Sequence, residues 1–306
     1  MRTAAIICEY TPFHAGHRYQ IAETRRRLGE DTGVLCLMSG NYVQRGEPAI
    51  YDKWSRARAA VEGGADLVLE LPITVAANAA GYFASGAVDC LLNLDYVNYL
   101  SFGSEYPDGQ ALADAAKAMN TGEYESALRE QLESGISFPR ARAQALTALG
   151  KDSQVLAQPN SALGVDYIRR LLERGSKILP LVLPREPSLP TASELRSRLV
   201  QERAADIHTL VQGERAMLAV LRTLPAEAFE KTPFGGEGLW RLVERQRYRA
   251  DSLEDLLQAC KSKRYTMSRL KRMLLWLFLG LDSSLPAAPY LKVLGFNDRG
   301  RAMLRQ

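Results

Sequence analysis

The chain has 306 residues, of which 46% are hydrophobic and 24% are charged, a composition typical of globular proteins. It excludes collagen-like, coiled-coil and intrinsically disordered proteins, and at roughly 100–200 residues per domain the length fits two domains. Apolar runs stay below the ~18–20 residues of a membrane-spanning helix, and Glu9 comes too early for a signal peptide. We therefore expect a cytoplasmic protein without a membrane partner.

The cysteines and the net charge narrow the function only slightly. The four cysteines, Cys8, Cys36, Cys90 and Cys260, form no CxxC pair, so we expect neither a disulfide framework nor a protein metal site.

The formal net charge is +4, but residues 201–306 hold 18 Lys and Arg against 12 Asp and Glu. The basic character therefore belongs to the C-terminal third of the chain.

Short apolar runs alternate with longer segments of helical spacing over the first 200 residues. The predicted strands are 4–8, 34–38, 67–69, 97–102 and 177–183, and the predicted helices are 17–28, 52–62, 83–92 and 161–173. Strands that are apolar on both faces and joined by helices are typical of parallel sheets. The fold class is therefore α/β, with a Rossmann-like parallel sheet.

The remaining segments have helical patterns. Residues 110–149 are predicted as a helical insertion that covers the sheet, and no strand run is visible after Leu199. Residues 184–190 contain three prolines, which exclude a helix and a central strand there. We expect a catalytic domain at 1–199 and a helical, basic domain at 200–306, in which 265–281 is the clearest helix.

The most informative motif is His14-Ala15-Gly16-His17, where the first strand ends and the first long helix begins. The chain has three histidines, and two of them lie here. Gly16 permits close backbone approach, the helix start offers N–H groups to a phosphate, and both imidazoles can donate to phosphate oxygens. The alternative to phosphate binding is a structural role, in which one histidine caps the helix and the other is buried beside it. The strand–turn–helix context favours a nucleotide site with His14 and His17 as catalytic residues.

An HxGH motif at this turn resembles the HIGH-type nucleotidyltransferases and the class I aminoacyl-tRNA synthetases. Such enzymes activate the α-phosphate of a nucleoside triphosphate mainly by positioning and electrostatics. The segment 191–196, TASELR, resembles their ISSTxIR element. Ser193 is expected to cap a helix and Arg196 to reach the β- and γ-phosphates, although this pattern alone is more often a plain cap.

Further segments resemble the tRNA(Met) cytidine acetate ligase family and extend the similarity over nearly the whole chain. These are 38–49, 53–56, 64–72, 102–105, 159–167, 263–270 and 293–297. The resemblance implies an enzyme that makes acetyl-adenylate from ATP and acetate, then acetylates N4 of the wobble cytidine of elongator tRNA(Met). ATP is thus the expected substrate, Mg²⁺ is a candidate cofactor, and no DNA partner is expected.

The resemblance also implies an ATP site built on the first strand–helix turn. Its expected residues are Ile7, Cys8, Glu9, Tyr10, Thr11, Pro12, Phe13, His14, Ala15, Gly16, His17, Arg18, Tyr19, Gln20, Gly103, Asn160, Arg185, Ser193 and Arg196. The family usually has NPFHNGH at this turn, whereas Thr11 and Ala15 replace the two asparagines here. Thr11 keeps a hydrogen-bonding group but loses the donor and acceptor pair of an amide.

A basic run near the C-terminus is the candidate tRNA-binding surface. It consists of Lys261, Lys263, Arg264, Arg269, Lys271 and Arg272, with no acidic residue among them. Contact with the phosphate backbone is one interpretation, and a solvated helix face is the other. Because the family that the chain resembles acts on tRNA, we expect these residues to contact RNA. Arg45 and Lys53 follow the second strand, where they either touch ATP or acetate or belong to an ordinary loop.

Two other functions share parts of these motifs. A nucleotidyltransferase that joins a nucleoside monophosphate to a small phosphomonoester would use the same HxGH and Ser193/Arg196 elements. A non-catalytic RNA-binding protein could keep the fold alone. The additional segments favour the acetate ligase over both alternatives.

Overall fold

The computed structural model describes residues 1–106, 108–186, 188–285 and 290–306. Its strands are β1 (Thr3–Cys8), β2 (Gly33–Ser39), β3 (Tyr42–Val43), β4 (Glu47–Pro48), β5 (Leu67–Leu71), β6 (Tyr99–Ser104), β7 (Leu179–Pro184) and β8 (Lys292–Phe296). Its first eight helices are α1 (Ala15–Leu28), α2 (Lys53–Glu62), α3 (Ile73–Ala76), α4 (Ala80–Leu92), α5 (Gly109–Ala118), α6 (Gly122–Glu133), α7 (Phe138–Ala148) and α8 (Pro159–Glu173), with a 3-10 helix at Ser153–Leu156. The others are α9 (Ala192–Gln201), α10 (Leu210–Thr223), α11 (Ala226–Glu230), α12 (Leu239–Gln246), α13 (Leu253–Cys260), α14 (Met267–Phe278) and α15 (Asp298–Met303).

Six strands form one sheet in the order β7-β6-β1-β2-β5-β8. The first five of these are parallel, and all five predicted strands are confirmed within about two residues at their ends. β1 and β2 are buried almost throughout, as the apolar runs predicted. β7 lies at an edge, which fits its two prolines because an edge strand tolerates missing N–H donors. The Rossmann-like parallel sheet is therefore confirmed.

The expectation that no strand follows Leu199 is wrong. β8 pairs antiparallel with β5, so the chain returns to the sheet after the helical region. Asn297, just after β8, donates from its side chain to Asp66 Oδ1 at 2.9 Å and from its backbone to the Asp66 carbonyl at 3.0 Å. Residues 292–303 therefore pack against the sheet, although they follow the helical region in sequence.

Two apolar cores cover the two faces of the sheet. One core joins Leu100 and Phe102 of β6 to the insertion helices through Leu112, Tyr124 and Leu146. The other core lies under α1 and α2 and includes Ile6, Cys8, Tyr10, Ile21 and Ala57. Helices on both faces leave the carboxyl ends of the parallel strands as the open edge, where ligands bind in such sheets.

A third core holds the helical region together. It includes Leu221, Phe229, Val243, Leu257 and Met273, which come from α10 to α14. The predicted helix 265–281 is confirmed as the shorter α14. The Trp276 indole N–H donates to the Ala77 carbonyl at 2.7 Å and so ties α14 to the first half of the chain. In the ranges that the model describes, no helix has both the length and the apolarity to span a bilayer.

Candidate active site

His14 and His17 form a reciprocal cap at the start of α1. The Gly16 N–H donates to His14 Nδ1 at 3.0 Å, and the His14 N–H donates to His17 Nδ1 at 3.3 Å. The two rings lie 3.8 Å apart between centroids. A Cβ added to Gly16 would come within 2.9 Å of the His14 ring, so only glycine fits this turn without displacing the ring.

The cap fixes which nitrogen of each ring carries the proton. Each Nδ1 accepts a backbone N–H and is therefore unprotonated in the neutral ring, so the proton lies on Nε2. Within the described ranges, neither Nε2 has a hydrogen-bond partner. The start of α1 therefore presents two imidazole Nε2–H donors at the positive end of the helix dipole.

Both imidazoles are held in the neutral form. Burial, together with smaller repulsion from His14 and Arg185, lowers the pKa of His17 to about 3. Burial lowers the pKa of His14 as well, with added repulsion from Arg185 and Arg196. These two guanidinium groups therefore act on the same site, so the positive charge available to a phosphate comes from arginine and not from imidazolium.

Aromatic rings pack against each other in the loop between β1 and α1. Tyr10 lies 4.6 Å from His17 and 5.0 Å from Phe13 between ring centroids. The Thr11 hydroxyl accepts the Ile50 N–H at 2.9 Å. Thr11 is thus occupied by a structural hydrogen bond to the segment that precedes α2.

Glu105 organises two residues of the expected ATP site, Asn160 and Arg185, and also binds Ser161. Its Oε1 accepts from Asn160 Nδ2 at 2.5 Å and from Arg185 Nη1 at 2.9 Å, and the Ser161 N–H donates to its Oε2 at 3.0 Å. Burial raises the pKa of Glu105, but these hydrogen bonds outweigh burial and the net pKa is lowered. Gly103 completes the group, since a Cβ there would lie 3.3 Å from the Arg185 side chain.

The second expected phosphate element begins α9, but its cap differs from the expectation. Thr191, and not Ser193, caps the helix, because the Thr191 hydroxyl accepts the Glu194 N–H in a capping box. Ser193 is exposed in the first turn. Arg196 reaches back to the turn after β1 and donates to the Thr11 carbonyl at 2.8 Å. The structure therefore brings Arg196, His14 and the β1–α1 loop together.

Other residues of the expected ATP site have mixed surroundings. Ile7 is half-buried in β1, and the Cys8 thiol is buried and donates to the Leu37 carbonyl. Gln20 Nε2 donates to the Ser101 carbonyl at 3.2 Å, which occupies it inside the fold. Arg18 is exposed and Tyr19 is half-buried on the same helix.

The Arg56 side chain donates a hydrogen bond to the Glu9 carbonyl in the loop after β1. The sequence analysis assigned no role to Arg56. Arg56 is 1% exposed and donates to the carbonyls of Glu9, Ser39, Gly40 and Tyr51. Burial lowers the pKa of Arg56 to about 10, so it remains charged at neutral pH. A buried cation that binds four carbonyls from three loops fixes the carboxyl ends of β1 and β2 relative to each other.

The six basic residues from 261 to 272 do not form one surface. Lys261 and Lys263 are exposed. Arg264 and Arg269 both pair with Glu237, at 3.4 and 3.1 Å. Lys271 pairs with Glu47, and the buried Arg272 donates to the Gln44 carbonyl at 3.1 Å. Lys261, Lys263 and Arg272 have no ion pair among the described residues, and of these three only the two lysines are exposed.

Metal-binding side chains are not clustered in the ranges that the model describes, where no group of three His, Cys, Asp or Glu could hold an ion. The expected site instead combines neutral imidazoles with cationic side chains. Arg45 is exposed, and its charge acts on both Glu9 and Arg196. Three arginines, Arg45, Arg185 and Arg196, therefore surround the start of α1, a donor set that suits a triphosphate.

This arrangement matches known proteins over the whole chain. The family model described as HIGH Nucleotidyl Transferase matches residues 1–233 and 191–306. The chain is 34% identical over 345 residues to the tRNA(Met) cytidine acetate ligase of Thermoanaerobacter sp. (strain X514), with 100% of this chain and 86% of that protein covered. The chain belongs to the tRNA(Met) cytidine acetate ligase family of HIGH nucleotidyl transferases.

Other members of this ligase family give the same result. The ligase of Caldicellulosiruptor saccharolyticus is 35% identical, with 99% of this chain and 84% of that protein covered. The crystal structure of Thermotoga maritima TmcAL bound with alpha-thio ATP has a TM-score of 0.90 and 31% identity, and the match covers 100% of this chain and 83% of that chain. The apo structure of the same TmcAL also matches with a TM-score of 0.90, at 30% identity.

Proposed function

We propose that the protein acts in the cytoplasm, uses ATP to activate acetate as acetyl-adenylate, and acetylates N4 of the wobble cytidine of elongator tRNA(Met). The pair of Nε2–H donors of His14 and His17, in the field of Arg185 and Arg196, carries this proposal. The names of the relatives support acetate and tRNA(Met) as substrates, and the alpha-thio ATP in the Thermotoga maritima TmcAL structure supports ATP.

In the first step, a carboxylate oxygen of acetate attacks the α-phosphorus of ATP, and the bond to the pyrophosphate oxygen breaks. Negative charge grows on the α-phosphate oxygens and on the leaving pyrophosphate. The Nε2–H groups of His14 and His17, at the positive end of the α1 dipole, donate to these oxygens, and arginine charge neutralises the leaving group. No side-chain nucleophile is needed. Mg²⁺ is a candidate ion for the triphosphate oxygens.

In the second step, the N4 amino group of cytidine attacks the acetyl carbonyl carbon. The bond between that carbon and the AMP oxygen breaks, AMP leaves with the electron pair, and the N4 proton passes to water. The six expected tRNA contacts remain part of the proposal, and of these Lys261 and Lys263 are exposed and form no ion pair among the described residues. Arg264, Arg269, Lys271 and Arg272 support this surface through their internal contacts.

The experiment is to incubate the protein with ATP, labelled acetate and bulk tRNA. We expect AMP, pyrophosphate and labelled N4-acetylcytidine in the digested RNA. A pyrophosphate-exchange assay with a panel of carboxylates and phosphomonoesters identifies the second substrate. Production of ADP, or exchange activated by a phosphomonoester and not by acetate, would contradict the proposal.

A further inference from the structure

The helical region carries a second basic surface that the run from 261 to 272 does not include. Arg241, Arg245 and Arg249 follow each other at intervals of four residues on and just after α12, and all three are exposed. We call these three residues the arginine stripe. Leu239, Val243 and Arg247 have the same spacing two residues earlier and are buried. Because a shift of two residues turns a helix by about 200°, Arg241 and Arg245 lie on the side of α12 opposite the core, and Arg249 is exposed in the turn that follows.

The arginine stripe differs from those exposed arginines of this protein that form ion pairs. Arg26 and Arg27 both bind Glu23, and Arg198 binds Glu202. In contrast, no member of the arginine stripe forms an ion pair with a residue in the described ranges. The nearest acid on the same helix, Glu244, binds the buried Arg247 at 3.1 Å. Like charges four residues apart on a helix repel each other, so this arrangement weakens α12 by itself.

Aromatic rings are interleaved with these arginines. The Arg241 guanidinium lies 5.0 Å from the centroid of the Trp240 ring. Tyr248 is 62% exposed, between Arg247 and Arg249 in sequence, and its hydroxyl donates to the Arg222 carbonyl at 3.3 Å. That hydrogen bond fixes the exposed ring on the surface. Fixed aromatic rings among cations suit RNA, whose bases stack and whose phosphates carry the opposite charge.

The arginine stripe continues into the two unpaired lysines of the predicted tRNA surface. Burial raises the pKa of the Cys260 thiol to about 11, and the Arg245 charge acts in the opposite direction, which places Arg245 near the end of α13. Lys261 follows directly, and Lys263 comes two residues later; both are exposed. The positive charge thus extends from α12 across the end of α13.

We propose that the arginine stripe binds the phosphate backbone of the tRNA substrate, with Tyr248 beside it as a stacking surface for an unpaired base. This inference rests on the proposed function, because that function supplies the RNA. Charge complementarity selects the occupant, since three guanidinium groups without ion pairs among the described residues, two on α12 and one in the turn after it, match a polyanion with regularly spaced charges.

The test compares two triple variants of the full chain. In the first, Arg241, Arg245 and Arg249 are changed to Gln. In the control, Arg129, Arg140 and Lys151 are changed to Gln, which removes the same charge from exposed positions in and just after the insertion. The affinity of each protein for tRNA is measured at several salt concentrations, and acetate-dependent pyrophosphate exchange is measured alongside.

Each phosphate contact contributes about 0.7–0.9 to the slope of log affinity against log salt, so the first variant should lose about two to three units of slope. We expect its pyrophosphate exchange to be unchanged, and the control to keep the full slope. An unchanged slope in the first variant, or an equal loss in the control, overturns the inference. If the slope falls as expected but the unaltered protein forms no N4-acetylcytidine, RNA binding by the arginine stripe is confirmed and the proposed acetylation of tRNA is contradicted.

Discussion

Glu9 and Arg272 bind the two sides of the same residue, Gln44. The Gln44 N–H donates to Glu9 Oε1 at 2.8 Å, and the Gln44 carbonyl accepts from Arg272 Nη1 at 3.1 Å. Gly46, two residues on, has φ +78° and lies so close to the α14 backbone that any Cβ there would collide with it. The β3–β4 hairpin therefore connects the expected ATP loop with the helical region.

The first prediction separates Arg272 from the exposed end of the basic run. Arg272→Gln should lower the free energy of unfolding by about 1–3 kcal/mol, because it leaves the partly buried Gln44 carbonyl of the hairpin without its donor. Pyrophosphate exchange should fall as well, because Gln44, whose carbonyl binds Arg272, also donates its N–H to Glu9. Lys263→Gln, at an exposed position, should change only tRNA binding. Urea unfolding of both variants checks this. Equal stability of the two would show that the hairpin contact is unimportant.

The second prediction concerns the imidazole donors. His14→Ala or His17→Ala should reduce acetate-dependent pyrophosphate exchange by roughly 10²–10³, because each removes one preorganised donor to a developing charge. His208→Ala is the control, since this third histidine is exposed and lies outside the site. A folded His17→Ala variant with normal exchange would remove the histidines from the catalytic assignment.

The third prediction follows from the pKa of about 3 for His17. In the unfolded chain a histidine has a pKa of about 6.5, so between pH 6.5 and pH 3 the unfolded state binds more protons. Stability therefore falls as the pH is lowered through this window, by about 1.4 kcal/mol per pH unit for this residue.

A variant with His17→Gln removes this titration. Its stability relative to the unaltered protein should improve by about 2 kcal/mol between pH 6.5 and pH 5. Urea unfolding at several pH values measures the difference, with His208→Gln as the control. Parallel stability curves for His17→Gln and the unaltered protein would mean that His17 titrates normally in the folded state.

Glu105 is the subject of the fourth prediction. Glu105→Gln removes the charge that orients Arg185 and one of the acceptors for Asn160 and Ser161. We expect the KM for ATP to rise about tenfold, equivalent to about 1.4 kcal/mol, with a smaller change in kcat. Steady-state exchange kinetics test this against Glu123→Gln, an exposed acid on α6. A change in kcat alone would assign Glu105 to the chemical step and not to nucleotide binding.

The sequence predicted the parts of the fold and site that depend on local patterns. Apolar runs revealed the buried strands, and the HxGH motif revealed the capped turn, because both signals lie within a few adjacent residues. β8 escaped prediction because only Leu294 of its five residues is buried, and its strand conformation comes from pairing with β5. Glu105 and Arg56 were missed for a similar reason, since their partners are distant in sequence.

The antiparallel edge strand β8 also sets an order of events during synthesis. β5 leaves the ribosome early, but its outer partner follows only after the whole helical region has been translated. Until then β5 presents an unpaired backbone edge, and Asp66 lacks its contact with Asn297. A nascent chain that stops within the helical region therefore exposes an unpaired sheet edge, which favours aggregation until β8 is added.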